Sequence, residues 1–372
     1  MAFFGVTKQV VKAVQAIPNS DRIELASLEG LDFDFVIGKG TFRPGDACLY
    51  IPIDSILPAP LIEKMDLKGK LAGPEQNRVK TAVLRGATSQ GLVVAPFYAP
   101  EALHDDPVKL TEYLGVTKWD PPMNDTKDAI LYPLTDGLSE YDIESAQRYQ
   151  NILDLLMDRR VFITEKLEGC NASVRCSADA ERSTDDYHGD KSKFQVACRT
   201  NVIVEKDGFT NMYWAAARQH FDENGLWHES LLAFTERFRQ HCGKPTTVYF
   251  ELLGPGTGAG NRKNYYQFED NTYRIFDIRA NQLWLNPDEM KTALAFGAIG
   301  EARSVPVVAR DVVLRDWLAG RTVKEAADGD SLLRPGQLRE GIVIRPMIED
   351  KVIGFGRLQL KQHSLRYLAG EK

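Results

Sequence analysis

Over residues 1–125 apolar positions alternate with polar ones in short runs cut by turn-forming residues. Strands are expected at Lys8–Ile17, Ile23–Leu28, Phe33–Ile37, Ala47–Ile53, Val79–Leu84 and Gly91–Ala95. Between them lie Pro18-Asn19-Ser20-Asp21, Glu29-Gly30 and Arg43-Pro44-Gly45-Asp46, residues that favour turns. Short strands at this spacing predict a small barrel. From about 117 to 140 the chain is rich in Pro, Asp, Asn and Thr without periodicity, and a linker is placed at 126–140.

Beyond the linker, strands and helices mix. Ile143, Ala146, Ile152, Leu153, Leu156 and Met157 recur at helical spacing and predict a helix over Tyr141–Arg160. Strand-like runs follow at Val161–Ile163, Ala172–Cys176, Phe194–Cys198, Val248–Glu251, Tyr273–Ile278, Glu340–Arg345 and Leu358–Lys361. Helices are expected at Asn211–Phe221, Glu229–Cys242, Pro287–Phe296 and Arg310–Ala319, and the charged stretch Ser177–Lys193 reads as a hairpin tip. The fold class is α+β, with domains at 1–125 and 141–372.

A chain of 372 residues has ample length for such cores. No apolar run approaches the ~20 residues of a membrane span, and the start lacks a secretory pattern, so a cytoplasmic protein with no membrane partner is expected. Five scattered cysteines without a Cys-x-x-Cys pair argue against a disulfide framework or a zinc site. The net charge of −6 does not advertise nucleic-acid binding, but local field matters more than the sum.

Lys-x-x-Gly occurs at Lys70, Lys166 and Lys351. Only Lys166 follows an apolar run and precedes further strands bearing acids and a lysine. A lysine amine attacks only when neutral, about one molecule in a few thousand at pH 7 for an ordinary pKa. A nearby cation or burial is therefore expected to depress it. Glu251 and Glu340, on separate strands, are candidate carboxylates for a hard divalent ion. Strict alternation puts Tyr249, Glu251 and Leu253 on one face. It also groups Tyr273, Ile275 and Asp277, turns Phe276 towards the core, and groups Gln359 with Lys361.

These segments resemble the covalent nucleotidyltransferases: ATP-dependent DNA and RNA ligases and mRNA capping enzymes. The shared pattern is a lysine motif, a glutamate-ended strand, an aromatic-x-x-Phe-Asp strand, a Glu-Gly strand and a lysine strand. At the N-terminus, Ile17–Glu24, Gly38-Lys39-Gly40 and Gly45-Asp46 resemble an OB-type barrel. Tyr50–Pro58 and Arg85–Leu92 resemble the N-terminal domain of RNA ligases of the Deinococcus and Naegleria type. The domain order, barrel first, is the RNA-ligase order, and Cys198-Arg199-Thr200-Asn201 resembles a further RNA-ligase element.

The resemblance implies an OB-fold domain at 1–125 and a nucleotidyltransferase domain of antiparallel sheets and helices, ATP-grasp-like, at 141–372. It implies ATP-dependent joining of 3′-OH and 5′-phosphate RNA ends through lysyl-AMP on Lys166, with Mg²⁺ or Mn²⁺. Lys361 would contact the α-phosphate, and Arg199 the ribose or the nucleic-acid end. Glu165 would border the base, Leu167 and Asn171 would line the nucleotide site, and Tyr273 would stack on adenine, with Phe276 as the alternative platform. Glu251 and Glu340 would hold the metal, and Asp21 would reach a second one. The partner would be RNA, as a nicked duplex, free ends or an RNA/DNA hybrid, and the enzyme a monomer. Where many relatives carry a first lysine on the last strand, this chain has Gln359, so that either one lysine suffices or Arg357 substitutes; Glu168 stands where many ligases have Asp. The alternatives are a DNA ligase, a GTP-dependent capping enzyme, or a non-catalytic OB-type RNA-binding protein. Lys166 as a surface lysine and Gly254–Gly260 as a plain loop rather than a phosphate cradle are the structural readings of those segments.

Overall fold

The alternating runs of the N-terminal region form β1 (Thr7–Ala16), β2 (Ile23–Leu28), β3 (Asp34–Gly38), β4 (Ala47–Ile51) and β5 (Leu92–Val94). In the computed structural model, which describes residues 3–18, 20–119, 126–134, 137–177, 193–258, 262–296 and 299–371, they make one antiparallel sheet in the order β3-β2-β1-β4-β5. The outer strands approach one another: Gln90 N donates to Asp34 O at 3.2 Å and Val36 N to Ser89 Oγ at 3.1 Å, so the sheet curls into a nearly closed OB barrel. Val11, Ala26, Leu28, Phe35, Ile37, Cys48 and Tyr50 fill it. Two helices absent from the sequence reading, α1 (Ala59–Lys64) and α2 (Pro107–Leu114), bury Leu61, Leu110 and Leu114 in a second cluster with Leu49 and Ile51.

The chain divides into two units: Met1–Pro121 with Glu144–Asp154 and Val352–Gly356, and Pro122–Ile143 with Leu155–Lys351 and Arg357–Lys372. The second unit contains β6 (Ala129–Pro133), β7 (Arg160–Lys166), β8 (Cys170–Cys176), β9 (Phe194–Cys198), β10 (Asn201–Glu205), β11 (Thr246–Leu253), β12 (Thr272–Ala280) and β13 (Leu283–Trp284). It also contains β14 (Val307–Val313), β15 (Gly341–Pro346) and β16 (Leu360–His363). Seven of these make an antiparallel sheet, β6-β10-β9-β8-β11-β12-β13, and four lie side by side in a second sheet in the order β16-β15-β7-β14. One face of the larger sheet buries Val174, Val248, Phe250, Leu252, Tyr273 and Ile275 in a cluster with Trp214 and Phe234 of two helices.

Three expectations differ from the structure. The helix expected over 141–160 is formed only at α3 (Gln150–Met157). Tyr141 is instead drawn into side-chain contacts across the second unit, its phenol donating to Asp277 Oδ2 at 2.7 Å. Arg310–Ala319 is strand first and helix after, because β-branched Val307, Val312 and Val313 pair with β7 and leave only α4 (Leu314–Leu318) helical. The segment read as linker contributes β6, which pairs with β10 at the sheet's edge. Cys176 pairs with Phe194 at the base of the expected hairpin, whose residues 178–192 lie outside the described ones, as do 259–261 of the glycine loop. No helix among the described residues is long and apolar enough to cross a membrane.

Candidate active site

Lys166 ends β7, and cross-strand pairing sets Lys166, Gly341 and His363 abreast on three adjacent strands. Paired residues in a sheet share a face, and Gly341 stands between the lysine and the histidine with no side chain of its own. A Cβ at Gly341 would come within 2.1 Å of Gln362 O, so nothing larger fits. The glycine of the lysine motif has the same role. A Cβ on Gly169 would lie 2.4 Å from Leu252 O, and its absence lets the turn after Lys166 pack against β11. That packing brings Glu251 to the lysine.

Nζ of Lys166 donates to Oε1 of Glu340 at 2.5 Å, and His363 Nε2 lies 3.5 Å from the same oxygen. Glu168, one residue short of the glycine, accepts from the Tyr367 hydroxyl. Burial works against the charge of Lys166, but Glu340, Glu251 and Glu168 outweigh it and raise the lysine above its ordinary value. The expected depression is therefore not supplied by the polypeptide: the carboxylates keep the nucleophile protonated. Burial also opposes ionisation of Glu340, yet the Lys166 ammonium and His363 pull its carboxyl down to about 2. Glu251 goes the other way, to about 8, because burial dominates and Glu340 and Glu168 repel a further negative charge. Burial holds the His363 imidazole below its usual value.

Among the described residues, no group of three or more His, Cys, Asp or Glu side chains forms a ready metal cage. Two observations nonetheless fit a divalent ion. Oε2 of Glu340 is buried with no hydrogen-bond partner, and Glu251 is a carboxyl that only an added positive charge would ionise at neutral pH.

At the edge of this face stand the two expected cations. Lys361, on β16 two residues before His363, donates to Asp142 Oδ1 at 3.1 Å. Arg199 donates from Nε to Glu140 Oε1 at 2.7 Å and from Nη2 to Asp142 Oδ2 at 3.0 Å. His363 is the residue that sequence reasoning missed. Carrying the alternation of Lys361 forward one step, rather than back to Gln359, would have found it. Arg357 does not substitute for a missing lysine. It is buried against Asp277 at 2.6 Å and Glu349 at 2.7 Å, with its guanidinium 3.9 Å over Trp284. Gln359 is buried beside the same network, where its Oε1 lies 3.4 Å from the Tyr141 hydroxyl.

The aromatic assignment is reversed. A bulge interrupts the pairing of β11 with β12: Tyr249 opposes Asp277, but Phe250 opposes Ile275, and Phe276 is the extra residue. The bulge breaks the alternation, so Tyr273 and Ile275 face the core while Phe276 and Asp277 leave it. Tyr273 is fully buried, with Arg303 3.8 Å above its ring, and cannot stack on a ligand. Phe276 is half-buried and packs beside Leu167, Leu253 and Tyr266, on the side of Glu251.

Of the remaining expected residues, Asn171 pairs directly with Glu251 across β8 and β11. Leu167 is buried in the cluster next to the lysine. Glu165 points to the other face of β7. Its Oε2 accepts from Leu332 N at 2.8 Å, and burial raises its pKa. Asp21 is an exposed turn residue of the first unit. Arg148, also of the first unit, donates to Phe3 O at 3.2 Å and lines a cavity of about 410 Å³ with Tyr50, Tyr149 and Phe355. Arg262 stacks 4.1 Å over Tyr367, the tyrosine that donates to Glu168.

Comparison with known proteins identifies the family and the fold. The RNA ligase family model matches residues 159–361, more than half of the chain, and an OB-fold domain model matches residues 5–96. No curated protein matches. Among solved structures, Naegleria gruberi RNA ligase with PPi superposes with a TM-score of 0.70 at 23% identity, covering 98% of this chain and 98% of that one. A point mutant of that ligase with ATP and Mn gives a TM-score of 0.70 at 22% identity, again covering 98% of each chain. Another, with AMP and Mn, gives 0.71 at 22% identity over 98% of each. At these identities the likeness shows a shared fold.

Proposed function

We propose that this chain, which belongs to the RNA ligase family, joins a 3′-OH RNA end to a 5′-phosphate RNA end through an AMP carried on Lys166. The carrying observation is the buried Lys166–Glu340 pair ringed by Glu251 and Glu168, with Arg199 and Lys361 at its edge. In the first step Nζ of Lys166 bonds to the α-phosphorus of ATP, the bond to the β-phosphate oxygen breaks, and pyrophosphate leaves. In the second, a 5′-phosphate oxygen attacks that phosphorus and the N–P bond breaks. In the third, the 3′-OH attacks the activated 5′-phosphorus, AMP leaves and a phosphodiester forms.

Lys166 must lose its proton before the first step, and Glu340, which accepts its hydrogen bond, is placed to orient the freed amine. A Mg²⁺ or Mn²⁺ ion held by Glu340 and Glu251 would offset the carboxylate charge that keeps the lysine protonated and would screen the phosphates. The solved Naegleria gruberi ligase mutants with ATP and Mn support that choice of nucleotide and metal. Lys361 balances charge at the α-phosphate, Arg199 serves the ribose or RNA end, Phe276 offers the ring for adenine, and Asn171 lines the pocket beside Glu251. The OB barrel supplies an RNA-binding face. Nicked duplexes, free ends and RNA/DNA hybrids are the substrates to compare, and the enzyme is taken to be a monomer. The five free thiols agree with a reducing cytoplasm.

Incubation with labelled ATP, and separately GTP, tests the reading. AMP should attach to Lys166 and be absent from Lys166→Ala. A label from GTP alone would favour capping, and persistence of the label in Lys166→Ala would refute the mechanism. Sealing assays on RNA, DNA and hybrid nicks then define the substrate.

A further inference from the structure

The two cations beside Lys166 are held by one short acidic segment. Asp142 spans them: Oδ1 accepts from Lys361 Nζ at 3.1 Å and Oδ2 from Arg199 Nη2 at 3.0 Å. Glu140 adds a second carboxylate on Arg199, from Nε at 2.7 Å. Between the acids, Tyr141 fixes the segment. Its hydroxyl donates to the buried Asp277 at 2.7 Å, and its ring lies 4.9 Å from Tyr249 and 5.0 Å from Phe276. A carboxylate whose two oxygens bridge two cations makes the contacts that two non-bridging oxygens of a phosphate would make.

The acid–cation pairs are open to solvent, with side-chain exposures of 45% for Arg199, 35% for Asp142 and 24% for Lys361, so they exchange readily. The Tyr141 anchor is half-buried, with its hydroxyl held by the fully buried Asp277. It keeps both acids within reach of the cations whether or not a ligand has taken their place.

We propose that Asp142 is a built-in competitor for the phosphate group that Arg199 and Lys361 bind, with Glu140 assisting it on Arg199. This rests on the reading above, in which these cations serve phosphates. A phosphate entering the pair displaces Asp142, and Asp142 returns to the cations as the phosphate leaves. The group is either a nucleotide phosphate or the 5′-phosphate of RNA, which present the same chemistry.

Single-turnover labelling across ATP concentrations, and AMP transfer from labelled enzyme across concentrations of 5′-phosphate RNA, separate the two sources. Asp142→Asn should lower the half-saturating concentration about threefold in one arm or both. Its maximal rate should stay within about twofold. The arm that responds identifies the phosphate. In a Lys361→Ala background the same substitution should lower the half-saturating concentration much less, because one of the contacts it releases is already gone. A half-saturating concentration that is unchanged or raised in both arms overturns the proposal, as does an undiminished lowering in the Lys361→Ala background. Asp142 is exposed, so the melting temperature should not move; Glu140→Gln, which loosens a contact to Arg199, should give a smaller shift in the same direction. Failure of the unsubstituted enzyme to label at Lys166 would refute the function reading instead, before any variant is compared.

Discussion

Nζ of Lys166 and Oε1 of Glu340 stand 2.5 Å apart, and this contact keeps the nucleophile charged. Glu340→Gln should therefore have two separable effects. It removes the partner of a largely buried ammonium, which costs about 3 kcal/mol of stability, read as a fall in melting temperature. It should also cut labelling of Lys166 by at least about a hundredfold, because the amine loses its orientation and the proposed metal loses a ligand. An unchanged labelling rate would mean that Glu340 is only a structural counter-ion.

The carboxyl of Glu251, pushed up to about 8, predicts a pH dependence with a definite sign. Its folded pKa lies above the unfolded value of roughly 4.3. The stabilising effect of its bound proton is complete below that value and is lost as pH rises through about 8. Metal-free Glu251→Gln should therefore melt higher than the unsubstituted protein at pH 8 and no higher at pH 4. Added Mn²⁺ should stabilise the unsubstituted protein at pH 8 with release of a proton, measurable by calorimetry in buffers of different ionisation enthalpy. A Mn²⁺ effect of equal size in Glu251→Gln would remove Glu251 from the metal site.

Asp277 carries the opposite sign. Burial opposes its charge, but Arg357 and Arg345 hold it below the ordinary carboxylate range. Its contribution is complete above an unfolded value of roughly 3.9 and is lost as pH falls through the folded one. Asp277→Asn should destabilise the protein at neutral pH and flatten the acid limb of its melting-temperature profile. A limb as steep as in the unsubstituted protein would place the acid-sensitive carboxylates elsewhere.

The bulge in β12 separates two rings that the sequence treats alike. Tyr273→Phe should leave labelling intact, and Tyr273→Ala should destabilise by about 3–5 kcal/mol, as truncation of a buried aromatic does. Phe276→Ala should instead raise the half-saturating ATP concentration about tenfold, the range of a lost base–aromatic stack, with a smaller change in melting temperature. The reverse pattern would return the stacking role to Tyr273.

Gly169→Ala places a methyl 2.4 Å from the backbone oxygen of Leu252. Backbone cannot yield as a side-chain tip does, so the turn after Lys166 must shift. A loss of about 1–3 kcal/mol and of most labelling activity is expected, whereas Gly354→Ala, which meets nothing within 4 Å but sits at a φ of +79°, should lose some stability and retain labelling.

The sequence by itself determined the strand segments that carry Lys166, Glu251, Glu340 and Lys361 and the order in which they follow one another. Those features are local: alternation, turn residues and glycine spacing are written within a few residues of one another. It also placed Glu251 on the face of Tyr249 and Leu253, because no bulge interrupts that half of β11. Tertiary structure decided what alternation cannot encode. The extra residue in β12 put Tyr273 in the core and turned Phe276 to the other face, since a bulge depends on the partner strand. Pairing of β15 with β16 brought His363 to Glu340. Tyr141 reaches Asp277 rather than opening the expected helix, and Glu140 and Asp142 on either side of it lie against Arg199 and Lys361. The charge state of Lys166 was decided last of all, because it is the sum of burial and three carboxylates contributed by separate parts of the chain.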